Sequence, residues 1–156
     1  MRGIFGLVLV DALVLAGCYT GPSSEHYVAI VDELDVPAGW QSVKTVVREP
    51  DQDDPCDTAF SSSCPGAIRS FLVSGDTVGA YAQAKDVVTA AGFAITEELL
   101  PDCTGVPSRS ACSFRASRHG DQIYVSVHHS AAEVGIEGGA PGDVGVLITA
   151  SRDLTR

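Results

Sequence analysis

The pattern of residues around His119-Gly120 constrains the fold more than any other feature of the chain. A two-residue turn at this point pairs Arg118 with Asp121 and fixes every later pair by counting. The predicted pairs on one face are Ala116 with Ile123, Phe114 with Val125 and Cys112 with Val127. The predicted pairs on the other face are Ser117 with Gln122, Arg115 with Tyr124 and Ser113 with Ser126. Every position of the first face is apolar or cysteine, so the sequence predicts an antiparallel hairpin with one buried face.

A helix is predicted from Asp76 to Ala91, with Gly92 as its end. Asp76 can accept hydrogen bonds from the first free backbone amides of the helix. Gly92 can adopt the left-handed conformation in which many helices end. The residues that fall on one helical stripe are Thr77, Ala80, Tyr81, Ala84, Val87, Val88 and Ala91. This spacing is typical of an amphipathic helix packed on a sheet.

The remaining segments complete the element order α-β-β-α-β-β-β-β. Residues 25–34 are compatible with a helix capped at Ser23-Ser24 or with a strand. The predicted strands lie near residues 43–48, 68–73, 93–97 and 144–150. Residues 36–40 predict a turn, and the glycine-rich stretch 131–143 predicts a mobile loop. Together these elements predict an α+β fold, an antiparallel sheet with one or two helices packed on one face.

The N-terminal residues have the composition of an export signal. Arg2 and the terminal amine are positive, an apolar stretch follows, and Leu15-Ala16-Gly17-Cys18 ends it. The apolar stretch is shorter than the ~20 residues of a membrane-spanning helix. This segment resembles the lipobox of bacterial lipoproteins, although Asp11 interrupts its apolar part. A plain secretory signal and a buried first helix are the alternatives.

The resemblance implies that residues 1–17 are removed and that Cys18 receives lipid chains on its sulfur and its new amine. The implied organisation is a signal peptide (1–17), a lipidated Cys18 with a tether (18–24) and a single extracytoplasmic domain (25–156). The implied location is the outer side of the cell membrane, where the acyl chains hold the protein.

Four further cysteines follow Cys18, and an even number in an exported chain predicts disulfides. The pairs Cys56–Cys64 and Cys103–Cys112 each close a short loop, so this pairing is expected. The net charge of −10 argues against nucleic acid as a partner. The cysteine and histidine spacings match no zinc motif, and the Asp51–Asp57 cluster does not match an EF-hand loop. Neither a metal nor a cofactor is therefore expected.

The chain also resembles small uncharacterised lipoproteins of high-GC Gram-positive bacteria. The likeness lies in Val36-Pro37-Ala38-Gly39-Trp40 before a strand, in the helix ending at Ala91-Gly92-Phe93, and in the paired cysteines. That group implies no defined activity and no catalytic residues.

The candidate functional surface is the outer face of the hairpin, at Arg115, Tyr124 and His128. Residues 109–129 contain three arginines and three histidines but only one acid, Asp121. The cluster indicates either a contact for an envelope protein or anionic ligand, or arginines that merely offset acids elsewhere. The sequence contains no nucleophile motif. We therefore expect a non-enzymatic binding or accessory domain of the cell envelope. The alternative is a small envelope hydrolase that uses His128 or His129 with a nearby acid.

Overall fold

The computed structural model describes residues 21–50, 56, 64–100, 103, 111–137 and 139–154. The helices are α1 (Ser24–Asp32) and α2 (Thr77–Ala90), with a short 3₁₀ helix at Ala131–Val134. The strands are β1 (Trp40–Arg48), β2 (Gly66–Ser74), β3 (Ala94–Leu100), β4 (Cys112–Arg118), β5 (Asp121–His128) and β6 (Asp143–Arg152). This order is the one predicted from the sequence.

The six strands form one antiparallel sheet in the order β1-β2-β6-β5-β4-β3. Strands β3 to β6 follow one another as neighbours, and β6 then inserts between β5 and β2. Helix α2 connects β2 to β3 at the far edge of the sheet. Strands β5 and β6 therefore have neighbours on both sides and form the centre of the sheet.

Both helices pack on the same face of the sheet, which we call the inner face. Helix α1 lies mainly over β2 and β6, and α2 lies mainly over β5, β4 and β3. The largest fully buried side chains of this layer include Tyr27, Phe71, Phe114, Ile123 and Ile148. The predicted α+β class is confirmed.

The hairpin register agrees with the prediction at all seven pairs, from Arg118 with Asp121 to Cys112 with Val127. His119 and Gly120 form the turn with φ angles of 53° and 94°. Two successive positive φ values are typical of the turn that matches the twist of a two-residue hairpin. A non-glycine residue at the first of these positions carries local strain, and histidine is among the residues that tolerate it.

Both predicted ends of α2 are present. The Asp76 side chain accepts a hydrogen bond from the Gly79 backbone N–H at 2.7 Å. At the other end Gly92 has a φ of 83°, and the Phe93 N–H donates to the Val88 carbonyl at 3.2 Å. This bond satisfies a carbonyl that the end of the helix would otherwise leave free.

Residues 24–32 form a helix, so the strand alternative for this segment is wrong. Tyr27, Ile30 and Val31 are buried against the sheet, as the helical spacing requires. Ser23 occupies the cap position, but its side chain makes no capping hydrogen bond. The neighbouring Ser24 hydroxyl instead donates to the Glu49 carboxylate.

Two local expectations need correction. The alternation predicted for residues 43–48 is interrupted, because the pairing of β1 with β2 shifts between Ser42 and Lys44. The extra residue of this bulge, Val43, is 44% exposed. In the glycine-rich stretch, residues 131–134 are helical and Ile136 is buried, so an entirely irregular loop is the wrong description.

The two predicted disulfides are present. Cys56 bonds to Cys64 and Cys103 bonds to Cys112, with Cα–Cα distances of 4.7 Å and 4.4 Å. Cys112 is fully buried on the inner face, where the hairpin register places it. None of the helices described is long and apolar enough to cross a membrane.

Candidate functional site

The face of the sheet opposite the helices, which we call the outer face, carries the predicted site. Tyr124 lies on this face in the middle of β5, opposite Arg115 of β4 and Thr149 of β6. Most of the side chains that the register places around Tyr124 are polar, namely Ser113, Ser117, Gln122, Ser126 and Ser151, and one, Leu147, is apolar. Tyr124 is therefore a half-buried aromatic side chain in a mainly polar frame.

Arg115 lies opposite Tyr124 as predicted, but its charge has a partner. One Nη atom lies 2.7 Å from Oε2 of Glu97 on the neighbouring strand β3. The Arg115 side chain is partly buried, whereas the Glu97 side chain is half exposed. Because a carboxylate already faces the guanidinium, an isolated anion-binding arginine is the wrong description of this residue.

The rest of the cationic segment is divided between the two faces. Arg118 lies on the inner side, where it donates to the Ala91 carbonyl at 2.6 Å and pairs with Glu33, the C-cap residue of α1. Its guanidinium also lies 4.2 Å from the centre of the Phe93 ring. Arg118 therefore joins the ends of both helices to the hairpin. Among the described residues, the contacts of Arg115 and Arg118 fit the alternative in which the arginines offset acids elsewhere in the chain.

His128 lies at the end of β5 with a polar partner near each ring nitrogen. Its Nε2 is 3.1 Å from the Ser126 hydroxyl, two residues earlier on the same face. Its Nδ1 is 3.9 Å from Oε2 of Glu133, on the short 3₁₀ helix. That separation is too long for a hydrogen bond but allows electrostatic attraction.

Burial lowers the pKa of His128 below its ordinary value of 6.5. Glu133 raises this pKa and His129 lowers it, but both effects are smaller than that of burial. The His128 ring is only 14% exposed and Glu133 only 19%. The 3₁₀ helix that carries Glu133 therefore lies beside the His128 ring.

The 3₁₀ helix closes this end of the outer face through contact with a glycine. Gly145 pairs with His128 in the sheet, and a Cβ atom there would overlap Cγ2 of Val134. The Ser130 carbonyl would lie only 3.1 Å from the same atom. Glycine therefore permits the close approach that holds Glu133 next to His128. The Glu133 carboxylate also accepts from the His129 backbone N–H at 3.2 Å, which fixes its position.

A pocket of about 650 Å³ opens at His129 and Ser130, directly after His128. Its walls come from the 3₁₀ helix and from residues 135–137 and 139–143. Asp143 accepts from Ser74 at 2.9 Å and from the Ala140 N–H at 2.7 Å, so one wall is held by internal hydrogen bonds. Within the part of the chain that the structure describes, no three or more His, Cys, Asp or Glu side chains could hold a metal together.

Sequence reasoning identified Arg115, Tyr124 and His128 but missed Glu97 and Glu133. The first three were predicted from the alternation of apolar and polar residues along the hairpin strands. The local pattern places Glu97 on a strand, but it does not indicate which strand lies beside it. Glu133 belongs to a segment predicted as a loop, where no periodic pattern indicates the direction in which a side chain points. Cys18, Asp51, Asp53, Asp54, Asp57 and Arg109 lie outside the described residues.

Comparison with models of known protein families, with curated proteins and with solved structures finds no match to this chain.

Proposed function

We propose that this protein is a lipid-anchored, extracytoplasmic accessory protein of a bacterial cell envelope. The run Leu15-Ala16-Gly17-Cys18 supports the anchor, because cysteine follows small residues at the end of an apolar stretch. The two disulfides support export, since such bonds persist in oxidising compartments and are rare in the cytosol.

The binding surface in this proposal is the outer face around Tyr124. The observation that carries it is the single aromatic ring at the centre of a mainly polar frame, in which Leu147 is the apolar exception. Tyrosine offers a large rigid contact area together with a hydroxyl group, and it is frequent at the centre of interfaces. Within the described ranges, the helices α1 and α2 pack on the opposite face.

The partner in this proposal is a protein rather than an anionic ligand. The charge distribution supports this choice, because Arg115 is paired with Glu97 and Arg118 lies on the inner side. The chain as a whole carries a net charge of −10, so it would repel an anion at long range. The partly exposed Tyr124, Ser117 and Thr149 instead offer neutral hydrogen bonding and contact area.

The experiment is site-specific photocrosslinking in intact cells. A photoreactive phenylalanine analogue replaces Tyr124 in one strain and Val78 in a matched strain. Val78 is 62% exposed and lies on α2, away from the outer face. The expected result is one discrete protein adduct at position 124 that is absent at position 78. Equal adducts at both positions, or none at 124, would overturn the proposed surface.

Ionic strength distinguishes a neutral contact from an anionic one. The adduct at position 124 is expected to persist when salt is raised to about 0.5 M, where the Debye length falls to a few ångströms. Loss of the adduct at high salt would contradict the neutral interface and support an anionic ligand.

The anchor is tested separately. Mass spectrometry of the native protein should show a lipid-modified Cys18 at the N-terminus, and Cys18→Ala should release the protein from the membrane fraction. An unmodified Cys18 in the native protein would contradict the lipid anchor without affecting the crosslinking result.

A further inference from the structure

We propose that Ser126, His128 and Glu133 form a nucleophilic site that hydrolyses activated carboxylic esters. In this arrangement Ser126 is the nucleophile, His128 the general base, and Glu133 a positioning residue. The proposal gives a specific form to the hydrolase alternative and departs from a purely non-enzymatic role.

The geometry provides one contact that activation of a serine requires, together with a carboxylate near the other ring nitrogen of the histidine. The hydroxyl of Ser126 lies 3.1 Å from Nε2 of His128, within reach of a direct proton transfer. The carboxylate of Glu133 lies 3.9 Å from Nδ1, on the other side of the ring. A negative charge there favours the tautomer with hydrogen on Nδ1, which leaves Nε2 free to accept the serine proton.

The surroundings keep the base in its active form near neutral pH. The pKa of His128 lies below its ordinary value because the ring is largely buried. The ring is therefore mostly neutral at pH 7, as a general base must be. The charged groups that bear on it are Glu133, from the 3₁₀ helix, and His129, the next residue in the chain.

The same sheet contains an internal control for this arrangement. Ser113 lies directly opposite Ser126 on β4 and points to the same face. Ser113 and Ser126 are 2% and 4% exposed. A difference in reactivity between them therefore reports the contact of Ser126 with His128, since burial is nearly the same.

The reaction balances with water as the only co-reactant. Ser126 Oγ attacks the ester carbonyl carbon, and the serine proton passes to Nε2 of His128. The bond from carbon to the alcohol oxygen breaks, and the alcohol leaves with that proton. Water then attacks the acyl-serine and gives a proton to His128, which returns it to Oγ as the carboxylic acid departs.

The sheet position of Ser126 limits the expected rate. Strand β5 is paired on both sides, so its backbone N–H groups serve the ladders with β4 and β6. They are not available to hold the oxyanion of a tetrahedral intermediate, a contribution worth about 10²–10³ in rate in other enzymes. We therefore expect slow hydrolysis, with stable acylation or phosphonylation of Ser126 as the clearest signal.

The experiment uses the full chain in detergent micelles with a fluorophosphonate probe and, separately, p-nitrophenyl acetate. Peptide mass spectrometry should locate the phosphonyl group on Ser126. Ser126→Ala should abolish labelling and ester hydrolysis, whereas Ser113→Ala should retain both. His128→Gln should slow both by at least about 100-fold if the imidazole acts as the base.

The pH profile separates the role of Glu133 from a structural one. Labelling should rise with pH through a midpoint below 6.5, the ordinary histidine value. Because Glu133 raises the pKa of His128, Glu133→Gln should move that midpoint to lower pH. A merely structural role would change the amount of labelled protein but not the midpoint.

Labelling that is absent from Ser126, equal on Ser113, or unchanged in His128→Gln would overturn the proposal. The circular dichroism spectrum of Ser126→Ala should match that of the parent, so that lost labelling cannot be attributed to unfolding. Photocrosslinking at Tyr124 uses a different position and readout, so the binding surface and the nucleophilic site can fail independently.

Discussion

The two faces of the β4–β5 hairpin share one backbone and one hydrogen-bond ladder, yet they differ completely in chemistry. On the inner face Phe114, Ile123, Val125 and Val127 are fully buried beneath the helices. On the outer face the same strands carry serine, glutamine, tyrosine, arginine and histidine. The comparison indicates that the inner face forms the apolar core, whereas the outer face combines buried small polar side chains with the partly exposed Tyr124 and Arg115.

Charged residues follow the same division. The inner-side Arg118 contacts the ends of both helices, and its neighbour in the register, Asp121, lies 2.9 Å from His26 of α1. The outer-side Arg115 contacts a carboxylate at the edge of the sheet. Inner-side charges therefore connect elements, and we expect their loss to affect stability more than loss of Arg115.

The largest expected difference between the faces is at Phe114 and Tyr124. Phe114→Ala should lower the free energy of unfolding by about 3–5 kcal/mol, because it removes a fully buried ring and leaves a cavity. Tyr124→Ala should lower it by less than about 1 kcal/mol, since that ring is only half-buried. Urea denaturation of both variants provides the measurement. Equal losses would show that the outer face is also part of the core.

The next largest effect is expected for the disulfide between Cys103 and Cys112, at the start of β4. Replacing both Cys103 and Cys112 with alanine should reduce the free energy of unfolding by about 2–3 kcal/mol, because a short closed loop is released in the unfolded state. Urea denaturation of the oxidised parent and of the double variant, under the same conditions, measures this loss of unfolding free energy. The matched control is the Cys56→Ala/Cys64→Ala variant. Its two cysteines are 8 residues apart in the sequence, and those of the first pair are 9 residues apart. No loss in either variant would contradict the chain-entropy argument.

A smaller effect is expected where the 3₁₀ helix closes the outer face. Gly145→Ala introduces a Cβ that overlaps Val134, so the helix must shift at a cost of about 1–3 kcal/mol. Gly39→Ala is the control, because a Cβ there has no atom within 4 Å. Thermal denaturation should separate the two variants. If Gly145→Ala has the same melting temperature as the parent, the tight packing of the 3₁₀ helix on β6 is not needed for stability.

The smallest effect is the pH dependence that His128 adds to stability. Its folded pKa lies below 6.5, so the unfolded state takes up a proton first as pH falls. Stability should therefore decline from pH 6.5 downward and level off below the folded pKa. His128→Gln should remove this part of the decline below about pH 6.5. Parallel curves for parent and variant, measured by urea denaturation, would contradict the lowered pKa.

Local sequence patterns determined much of this fold. The alternation about His119-Gly120 predicted all seven hairpin pairs, because a shift of one residue would move the apolar side chains to the wrong face. The cap at Asp76 and the glycine at position 92 predicted both ends of α2. The short spacing of the cysteines predicted both disulfides. Each of these features depends on residues close together in the chain.

Only the tertiary structure decided which charges meet and what lies next to His128. The pairs Arg115–Glu97 and Arg118–Glu33 join residues 18 and 85 positions apart, and they dispersed the cationic cluster that the local sequence suggested. Glu133 reaches His128 because the 3₁₀ helix packs on Gly145, and no periodic pattern encodes that contact. Periodicity specifies which face a side chain occupies, whereas the partner across space depends on the order of the strands and the path of the loops.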